Sequence, residues 1–455
     1  MRVVFATAEL SPVAAVGGLA AAAAGLVGAL RRSGADVELL LPDYGTIDTT
    51  GSEVIELDVP QWAGPASIHV VEHPVAGRIH LVSCPGLARS HPYLQPDGQG
   101  WLDNIDRFLR FSQAVAAWVL LSKPDVLHLN DWHTGTVLAA LDDPPPTVLS
   151  LHNLAHQGHG PGSWLSSIGS RAEHFEWWGG INQLSGAIAL ADRIVAVSPH
   201  HADEMRRPGG GFGLDAAVRA RGDAVTGILN GIDTTVWNPA DDAFLPAAFS
   251  SGDLGGKDRC RDTLLGRLGL SDDGSLLAVA VTRLTDQKGI DLMVPTLELL
   301  DDLPLNVGIL GAGDADLAAQ LAEIAGRSER FAFIDGYDEA LSHLMFAGAD
   351  LFVMPSRFEP CGLTQMQAMR YGTIPVVTPV GGLVDTVPDL DREPRTGRGV
   401  VARAAEPVAI ASALHRAVRR FGQRRLTTIR RRLMTIDWSW DAPAAEYRRI
   451  YDQIS

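Results

Sequence analysis

The chain has 455 residues, 46% of them hydrophobic and 20% charged, which is the composition of a globular protein with room for about two to four domains. Its formal net charge of −16 argues against a nucleic-acid-binding groove, which needs a basic face, and no uninterrupted apolar run reaches the roughly 18 residues of a membrane span. Cys84, Cys260 and Cys361 lack metal-ligand spacing, which predicts a reduced, cytoplasmic protein without a structural disulfide.

The first half of the chain alternates short apolar runs with segments of helical periodicity. The runs that predict strands lie at 3–6, 36–41, 79–83, 126–129, 147–151 and 193–197, and those that predict helices lie at 18–32, 102–122 and 187–191. Buried apolar strands separated by helices indicate a parallel sheet with crossover connections. The pattern therefore predicts a doubly wound α/β domain.

A second series of the same kind follows residues 238–256, a segment rich in Pro, Asp and Gly that is typical of an interdomain linker. The predicted strands of this series lie at 276–281, 306–310, 331–334, 351–354, 375–378 and 399–401, with a helix near 291–300. Two open α/β sheets in tandem predict a cleft at the carboxyl ends of their strands, where ligands of such sheets bind. No GxGxxG fingerprint follows the first strand, so a nicotinamide-dependent dehydrogenase is not expected.

The segment Pro355–Leu363 lies between a predicted strand and a predicted helix and carries the opposite charges of Arg357 and Glu359. Unpaired backbone N–H groups at the start of a helix attract anionic groups. A carboxylate such as that of Glu359 can accept hydrogen bonds from two sugar hydroxyls, and amides beyond Gly362 can hold a phosphate. The segment predicts a phosphate or sugar site, and an ordinary solvated turn with a surface ion pair is the alternative.

A second charged loop, Val281–Gly289, also follows a predicted buried strand and opens a helix. It contains Arg283 and Lys288, and two cations near a helix N-terminus suit a nucleotide pyrophosphate, whose charge grows as the leaving group departs. A pair of solvated surface cations is the alternative.

The stretches 356–365, 368–373 and 381–386 resemble, in register, the donor-binding signature of the bacterial glycogen synthases and plant starch synthases. The resemblance implies an α/β protein of the GT-B fold, with two Rossmann-like doubly wound domains facing a cleft and a C-terminal helix returning to the N-terminal domain. The implied acceptor-side domain spans 1–240 plus a returning helix at 438–455, and the implied nucleotide-sugar donor domain spans 241–437.

The same resemblance implies roles for individual residues. The implied catalytic residues are Glu359, His152, Arg283 and Lys288. The implied donor-binding residues are Gly17, Gly18, Arg283, Lys288, Tyr337, Glu359, Cys361, Gly362, Leu363 and Thr364. The implied acceptor-binding residues are Asp131, Trp132, His133, Asn153 and Asn230. In these roles His152 would contact the transferred sugar and Tyr337 would stack on the base. No metal or other cofactor is expected, because the nucleotide-sugar is itself a substrate.

Three positions in the first half depart from the family's pattern. A lysine before the Gly17-Gly18 pair is replaced by Ala15, an aspartate after it by Ala21, and a lysine in the block 181–186 by Ser185. These replacements remove two cations and an anion from the first domain, whereas the donor-phosphate side matches. They predict a changed sugar or acceptor.

The predicted function is a retaining transferase that moves a sugar from a nucleotide-activated donor to a specialised small-molecule acceptor. A pseudo-glycosyltransferase that couples a nucleotide-activated cyclitol to an amino sugar falls within this prediction. A glycogen or starch synthase that extends α-1,4-glucan from ADP-glucose is one alternative, and an inactive sugar-nucleotide-binding homologue is another. The expected chemistry is front-face substitution, in which the departing phosphate helps to deprotonate the acceptor. No nucleic-acid or membrane partner is expected, and the oligomeric state is left open.

Overall fold

The computed structural model describes residues 1–96, 98–421 and 423–455, which divide into two compact units. Unit 1 consists of Met1–Gly231 and Trp440–Ser455, and unit 2 consists of Ile232–Ser439. No helix in the described part of the chain is long and apolar enough to cross a membrane.

Unit 1 contains two sheets and the helices that connect their strands. Its strands are β1 Arg2–Ala6, β2 Asp36–Pro42, β3 Glu53–Leu57, β4 Ala66–His73, β5 Gly77–Ser83, β6 Val126–Asn130, β7 Thr147–Leu151, β8 His159–Pro161, β9 Glu176–Trp177, β10 Gly180–Asn182, β11 Arg193–Ala196 and β12 Val225–Gly227. Its helices are α1 Gly18–Arg32, α2 Asn104–Ser122, α3 Val137–Ala140, α4 Gln183–Leu190, α5 Pro199–Glu204, α6 Pro208–Gly211, α7 Asp215–Ala220 and α16 Asp441–Ile454.

The larger sheet of unit 1 has the strand order β12-β11-β7-β6-β1-β2-β5-β4-β3 among the described residues. The pairs from β12 to β5 are parallel, and β4 pairs antiparallel with both β3 and β5. The chain leaves β1 toward β2 on one side and returns at β6 on the other, so β1 and β6 flank the topological switch point where open α/β sheets bind ligands. The loops after these two strands therefore belong to the candidate site.

The sequence patterns did not predict β3, β4 or the small antiparallel sheet β8-β10-β9. Strand β3 is an edge strand with little buried surface, and its two acidic residues, Glu53 and Glu56, leave no long apolar run. Strands β8 to β10 are at most three residues long, which is too short for a period-two pattern.

Helix α16 docks on unit 1 through a buried polar network as well as through apolar packing. The hydroxyl of Tyr451 lies 2.5 Å from His128 Nδ1, His128 Nε2 lies 2.8 Å from Ser150 Oγ, and Ser150 Oγ lies 3.0 Å from the Tyr447 hydroxyl. Burial lowers the pKa of His128 to about 3, so its ring is neutral, with one donor and one acceptor nitrogen. The C-terminal helix thus satisfies polar groups on β6 and β7.

Tyr451→Phe is expected to destabilise the protein by about 1 to 3 kcal/mol, because it leaves a ring nitrogen of His128 buried without its partner. Urea unfolding of the two proteins measures the difference. Tyr337→Phe is the matched control, since that hydroxyl is on a side chain that is 77% exposed and its loss should change stability by less than about 0.5 kcal/mol. Equal effects of the two substitutions would contradict a structural role for the network.

In the described residues, unit 2 contains one parallel β-sheet whose strands are connected by helices. Its strands are β13 Leu276–Val281, β14 Leu305–Gly311, β15 Phe331–Asp335, β16 Leu351–Met354, β17 Ile374–Val377 and β18 Val400–Val401. Its helices are α8 Gly255–Leu268, α9 Ile290–Glu298, α10 Ala315–Ala325, α11 Glu339–Gly348, α12 Thr364–Arg370, α13 Gly381–Thr386, α14 Pro407–Arg420 and α15 Gln423–Met434. The strand order β15-β14-β13-β16-β17-β18 places the switch point between β13 and β16. The two charged loops identified in the sequence follow these two strands.

The predicted linker begins inside unit 2, because its residues pack on that unit. Trp237, directly before the linker, stacks on His343 with ring centroids 4.1 Å apart. Asp242 accepts a hydrogen bond of 2.5 Å from the Tyr371 hydroxyl and lies 2.7 Å from His343 Nδ1. The predicted domain limits, 1–240 and 241–437 with a returning helix at 438–455, therefore lie close to the limits of the compact units without coinciding with them.

Candidate active site

The loops after β13 and β16 of unit 2 bring two of the predicted catalytic side chains into direct contact. Lys288 Nζ lies 2.6 Å from Glu359 Oε2, and Ser356 Oγ donates to the same oxygen at 3.1 Å. The side chain of Glu359 is 7% exposed and that of Lys288 is 20% exposed. The buried carboxylate is therefore held by one charged and one neutral donor.

Two glycines allow the surrounding loops to approach this closely. Gly289 has a φ of 65°, and a Cβ at this position would lie 2.1 Å from the carbonyl oxygen of Pro355. Gly381 has a φ of 44°, and its Cβ would lie 2.0 Å from the carbonyl oxygen of Glu359. Any larger residue would collide with backbone and would also be strained by the left-handed conformation. The resulting packing fixes the backbone on both sides of Glu359.

Arg357 does not pair with Glu359, although the two residues are close in sequence. Its guanidinium makes two hydrogen bonds of 2.6 and 2.5 Å with the carboxylate of Asp291, the second residue of α9. The bond from Arg357 lowers the pKa of Asp291. The surface ion pair of the alternative interpretation exists, but it joins Arg357 to Asp291. Glu359 pairs with Lys288.

The remaining predicted donor residues surround this centre in unit 2. Arg283 is exposed on the loop that also carries Lys288, and Tyr337 is 77% exposed beyond β15. Cys361 is buried, and its carbonyl oxygen accepts a hydrogen bond of 3.1 Å from Gln365 Nε2. The same nitrogen donates to Gly362 O at 2.8 Å, which holds the turn before α12. Leu363 occupies the N-cap position of that helix, and Thr364 is its first residue. Their contacts with a donor remain a prediction.

In unit 1, the ends of β6 and β7 bring Asp131 and His152 together. The carboxylate oxygen Oδ1 of Asp131 accepts the backbone N–H of His152 at 2.7 Å. Burial raises the pKa of Asp131 to about 7, although the hydrogen bonds that it accepts from the backbone of His152 and Asn153 lower the pKa. Asp131 has a φ of 52°, a strained conformation that is common at functional sites.

The other predicted acceptor residues have different environments. Trp132 and His133 are buried, with ring centroids 4.1 Å apart, and they pack against the core of unit 1. Asn153 Oδ1 accepts the backbone N–H of Ala155 at 3.0 Å and so stabilises its own turn. Asn230 is buried and lines a narrow pocket together with His152. Of the predicted acceptor residues, Asp131 is therefore hydrogen-bonded to His152, and Asn230 shares a pocket with it.

Glu9 was not among the predicted site residues, yet it organises the glycine loop at the start of α1. Its Oε2 accepts the backbone N–H groups of Val16 at 3.1 Å and Gly17 at 2.8 Å, and its Oε1 accepts the Tyr93 hydroxyl at 2.8 Å. Gly17 and Gly18 lie at the N-terminus of α1, as the sequence predicts. The sequence shows that an acidic residue lies shortly after the first strand. It does not show which backbone N–H groups that residue binds.

Comparisons with known proteins cover both units. A family model described as the starch synthase catalytic domain matches residues 2–220, and one described as glycosyl transferases group 1 matches residues 269–424. The glycogen synthase of Halorhodospira halophila is 40% identical over 100% of this chain and 99% of its own length. The glycogen synthase of Acidiphilium cryptum is 38% identical over 100% of both chains.

Solved structures give the same assignment. The catalytic domain of starch synthase IV from Arabidopsis thaliana, bound to ADP and acarbose, has a TM-score of 0.88 and 32% identity, and the match covers 99% of this chain and 98% of that one. Sucrose-phosphate synthase from Thermosynechococcus elongatus shares the fold, with a TM-score of 0.65, 18% identity and coverage of 99% and 98%. The chain therefore belongs to the glycogen and starch synthase family, and it is a hexosyltransferase of the GT-B fold.

Proposed function

We propose that this protein is a glucan synthase that transfers glucose from ADP-glucose to an α-1,4-glucan, with retention of the anomeric configuration. The named glycogen synthases that it resembles match it from end to end, which favours this alternative over the specialised small-molecule transfer predicted first. The observation that carries the proposal is the contact of 2.6 Å between Lys288 and Glu359 at the switch point of unit 2.

On the donor side, this pair supplies the two kinds of group that a nucleotide-sugar needs. The ammonium of Lys288 and the guanidinium of Arg283 would bind the diphosphate, and the carboxylate of Glu359 would accept hydrogen bonds from sugar hydroxyls. Without a ligand the two opposite charges neutralise each other, so neither is left buried without a partner.

In the proposed reaction, the bond between the sugar C1 and the diphosphate oxygen breaks while a bond from an acceptor hydroxyl oxygen to C1 forms on the same face. The acceptor proton passes to the departing phosphate. Because the acceptor oxygen bonds directly to C1, no enzyme carboxylate forms a covalent intermediate. Negative charge grows on the diphosphate as the bond breaks, and Lys288 and Arg283 would stabilise it more strongly in the transition state than in the bound donor. Tyr337 would stack on the adenine.

A second candidate keeps the same class of reaction but changes the transferred group or the acceptor. Ala15 and Ala21 are exposed on either side of the glycine pair, and the first turn of α1 carries no acidic residue. Ser185 is buried and its backbone N–H is bonded to Asn182. The charges that the family resemblance leads one to expect at these positions are absent, which favours transfer to a specialised small molecule, such as the coupling of a nucleotide-activated cyclitol to an amino sugar.

Incubation with ADP-glucose and glycogen distinguishes these candidates. We expect glucan extension coupled to ADP release at about 1 per second or faster, which is usual for an enzyme acting on its own substrate. Reactions without glycogen, and with UDP-glucose, are the controls for hydrolysis and for base preference.

Two other outcomes would contradict the proposal. ADP release only in the presence of small amino-sugar or cyclitol acceptors would favour the second candidate. Tight nucleotide binding without release to any acceptor would indicate the inactive sugar-nucleotide-binding homologue.

A further inference from the structure

Asn130, the last residue of β6, connects the end of β1 to the imidazole of His152. Its Nδ2 donates to the carbonyl oxygen of Ala6 at 2.9 Å, and its Oδ1 lies 3.0 Å from His152 Nε2. Its backbone N–H donates to Thr134 Oγ1 at 2.9 Å, and that hydroxyl donates back to Asn130 O at 3.0 Å. Asn130 is 1% exposed, so both the backbone and the amide have fixed protein partners.

The orientation of the Asn130 amide follows from the chemistry of these partners. A backbone carbonyl can only accept hydrogen bonds, so the nitrogen of the amide must face Ala6 and the oxygen must face His152. An amide oxygen is in turn only an acceptor. The ring nitrogen Nε2 of His152 must therefore carry the proton.

The environment of His152 keeps the ring from taking a second proton. Burial lowers the pKa of His152 to about 3, with a smaller lowering from His201, whose own pKa burial lowers to about 4. His128, in the middle of β6, and His133, shortly after that strand, are also buried, and burial lowers the pKa of both. The carboxyl group facing the site, that of Asp131, is bonded to the His152 backbone N–H. In a neutral ring with the proton on Nε2, the lone pair lies on Nδ1.

We propose that Asn130 is a positioning residue that fixes His152 as the Nε2-protonated tautomer, so that Nδ1 is presented as a hydrogen-bond acceptor to a hydroxyl of the transferred sugar. The use of Nδ1 by a sugar rests on the proposed function, whereas the tautomer itself does not. A sugar hydroxyl would donate to Nδ1 while its oxygen remains free to accept from other groups. The opposite tautomer would present an N–H there and would favour a different hydroxyl orientation.

The tautomer can be measured directly in the intact protein labelled with ¹⁵N-histidine. The spectrum of a His152→Gln variant identifies the His152 signals by difference. We expect a neutral ring protonated on Nε2 from about pH 6 to pH 8. A wild-type ring that is protonated on Nδ1, or that is an imidazolium in this range, would overturn the proposal whether or not the protein extends glucan.

Two substitutions test the role of Asn130 itself. Asn130→Ala removes the acceptor for Nε2–H, so we expect a mixture of tautomers and a decrease of about 10- to 100-fold in kcat with a smaller change in the KM for the donor. Asn130→Asp places a carboxylate against the ring, which raises the pKa of His152. Activity should then fall as the pH decreases through the new pKa, in step with the imidazolium signal, because an imidazolium has no acceptor nitrogen.

Asn306→Ala is the matched control, since Asn306 of unit 2 is also buried and donates to Ser271 O at 3.0 Å. It should cost stability without changing the His152 signals or the pH profile. If Asn130→Ala kept both the wild-type tautomer and kcat within about twofold, Asn130 would not position His152. If the wild-type protein has the expected tautomer but does not extend glucan, only the proposed function is contradicted.

Discussion

Replacing Lys288 or Arg283 with alanine is expected to lower kcat/KM by about 30- to 1000-fold, or roughly 2 to 4 kcal/mol of transition-state stabilisation. Both cations lie on the loop after β13, and both would stabilise charge that develops on the leaving diphosphate. Steady-state kinetics with saturating acceptor and varied donor measure the loss.

The two variants should differ in stability, because the two cations have different partners in the protein. Lys288→Ala leaves the Glu359 carboxylate, whose side chain is 7% exposed, without its cation, and we expect a cost of about 1 to 3 kcal/mol in unfolding free energy. Arg283 is exposed, so Arg283→Ala should change stability by less than about 0.5 kcal/mol. The Arg283 variant thus separates the effect on catalysis from any effect on folding.

Arg327→Ala is the control for loss of a cation from unit 2. Arg327 forms an exposed pair with Glu323 at the end of α10, outside both charged loops. Its removal should leave kcat/KM and stability nearly unchanged. Turnover within about threefold of wild type in both the Lys288 and Arg283 variants would exclude these residues from the donor site.

Glu359→Gln is expected to fold but to transfer sugar poorly, with a decrease of at least about 100-fold in kcat. In the wild-type protein, Glu359 Oε2 accepts hydrogen bonds from both Lys288 and Ser356. An amide has one acceptor oxygen in place of two and no negative charge, so it cannot hold Lys288 and two sugar hydroxyls together. The loss should appear in transfer rather than in nucleotide affinity.

Calorimetric titration with ADP, alongside kinetics with ADP-glucose, checks this division. ADP affinity within about threefold of wild type is expected, because the carboxylate would contact the sugar and not the nucleotide. Asp291→Asn is the control, since it removes a carboxylate at the start of α9, directly after the Lys288 loop, but one that pairs with Arg357. If ADP binding collapsed in the folded Glu359 variant, the carboxylate would instead support the phosphate-binding loop through Lys288.

Much of the fold could be predicted because it depends on local patterns. The apolar runs of β7, β13 and β16 coincide with the observed strands, and α1 begins at Gly18 and ends at Arg32 as its periodicity predicts. The unpredicted strands β3 and β4 lie at one edge of the sheet, where less surface is buried and the apolar signal is weak. Local periodicity therefore predicts buried elements better than edge elements.

The sequence by itself determined which chemical groups occupy the two charged loops of unit 2 and the strand ends of unit 1. It could not determine their partners, because those depend on strand order and on contacts between residues far apart in the chain. Lys288 and Glu359 meet because β13 and β16 are neighbours in the sheet, whereas Arg357 is drawn to Asp291 at the start of α9. The tautomer of His152 was likewise decided only by the folded protein, since it depends on a carbonyl oxygen of β1 that orients the amide of Asn130.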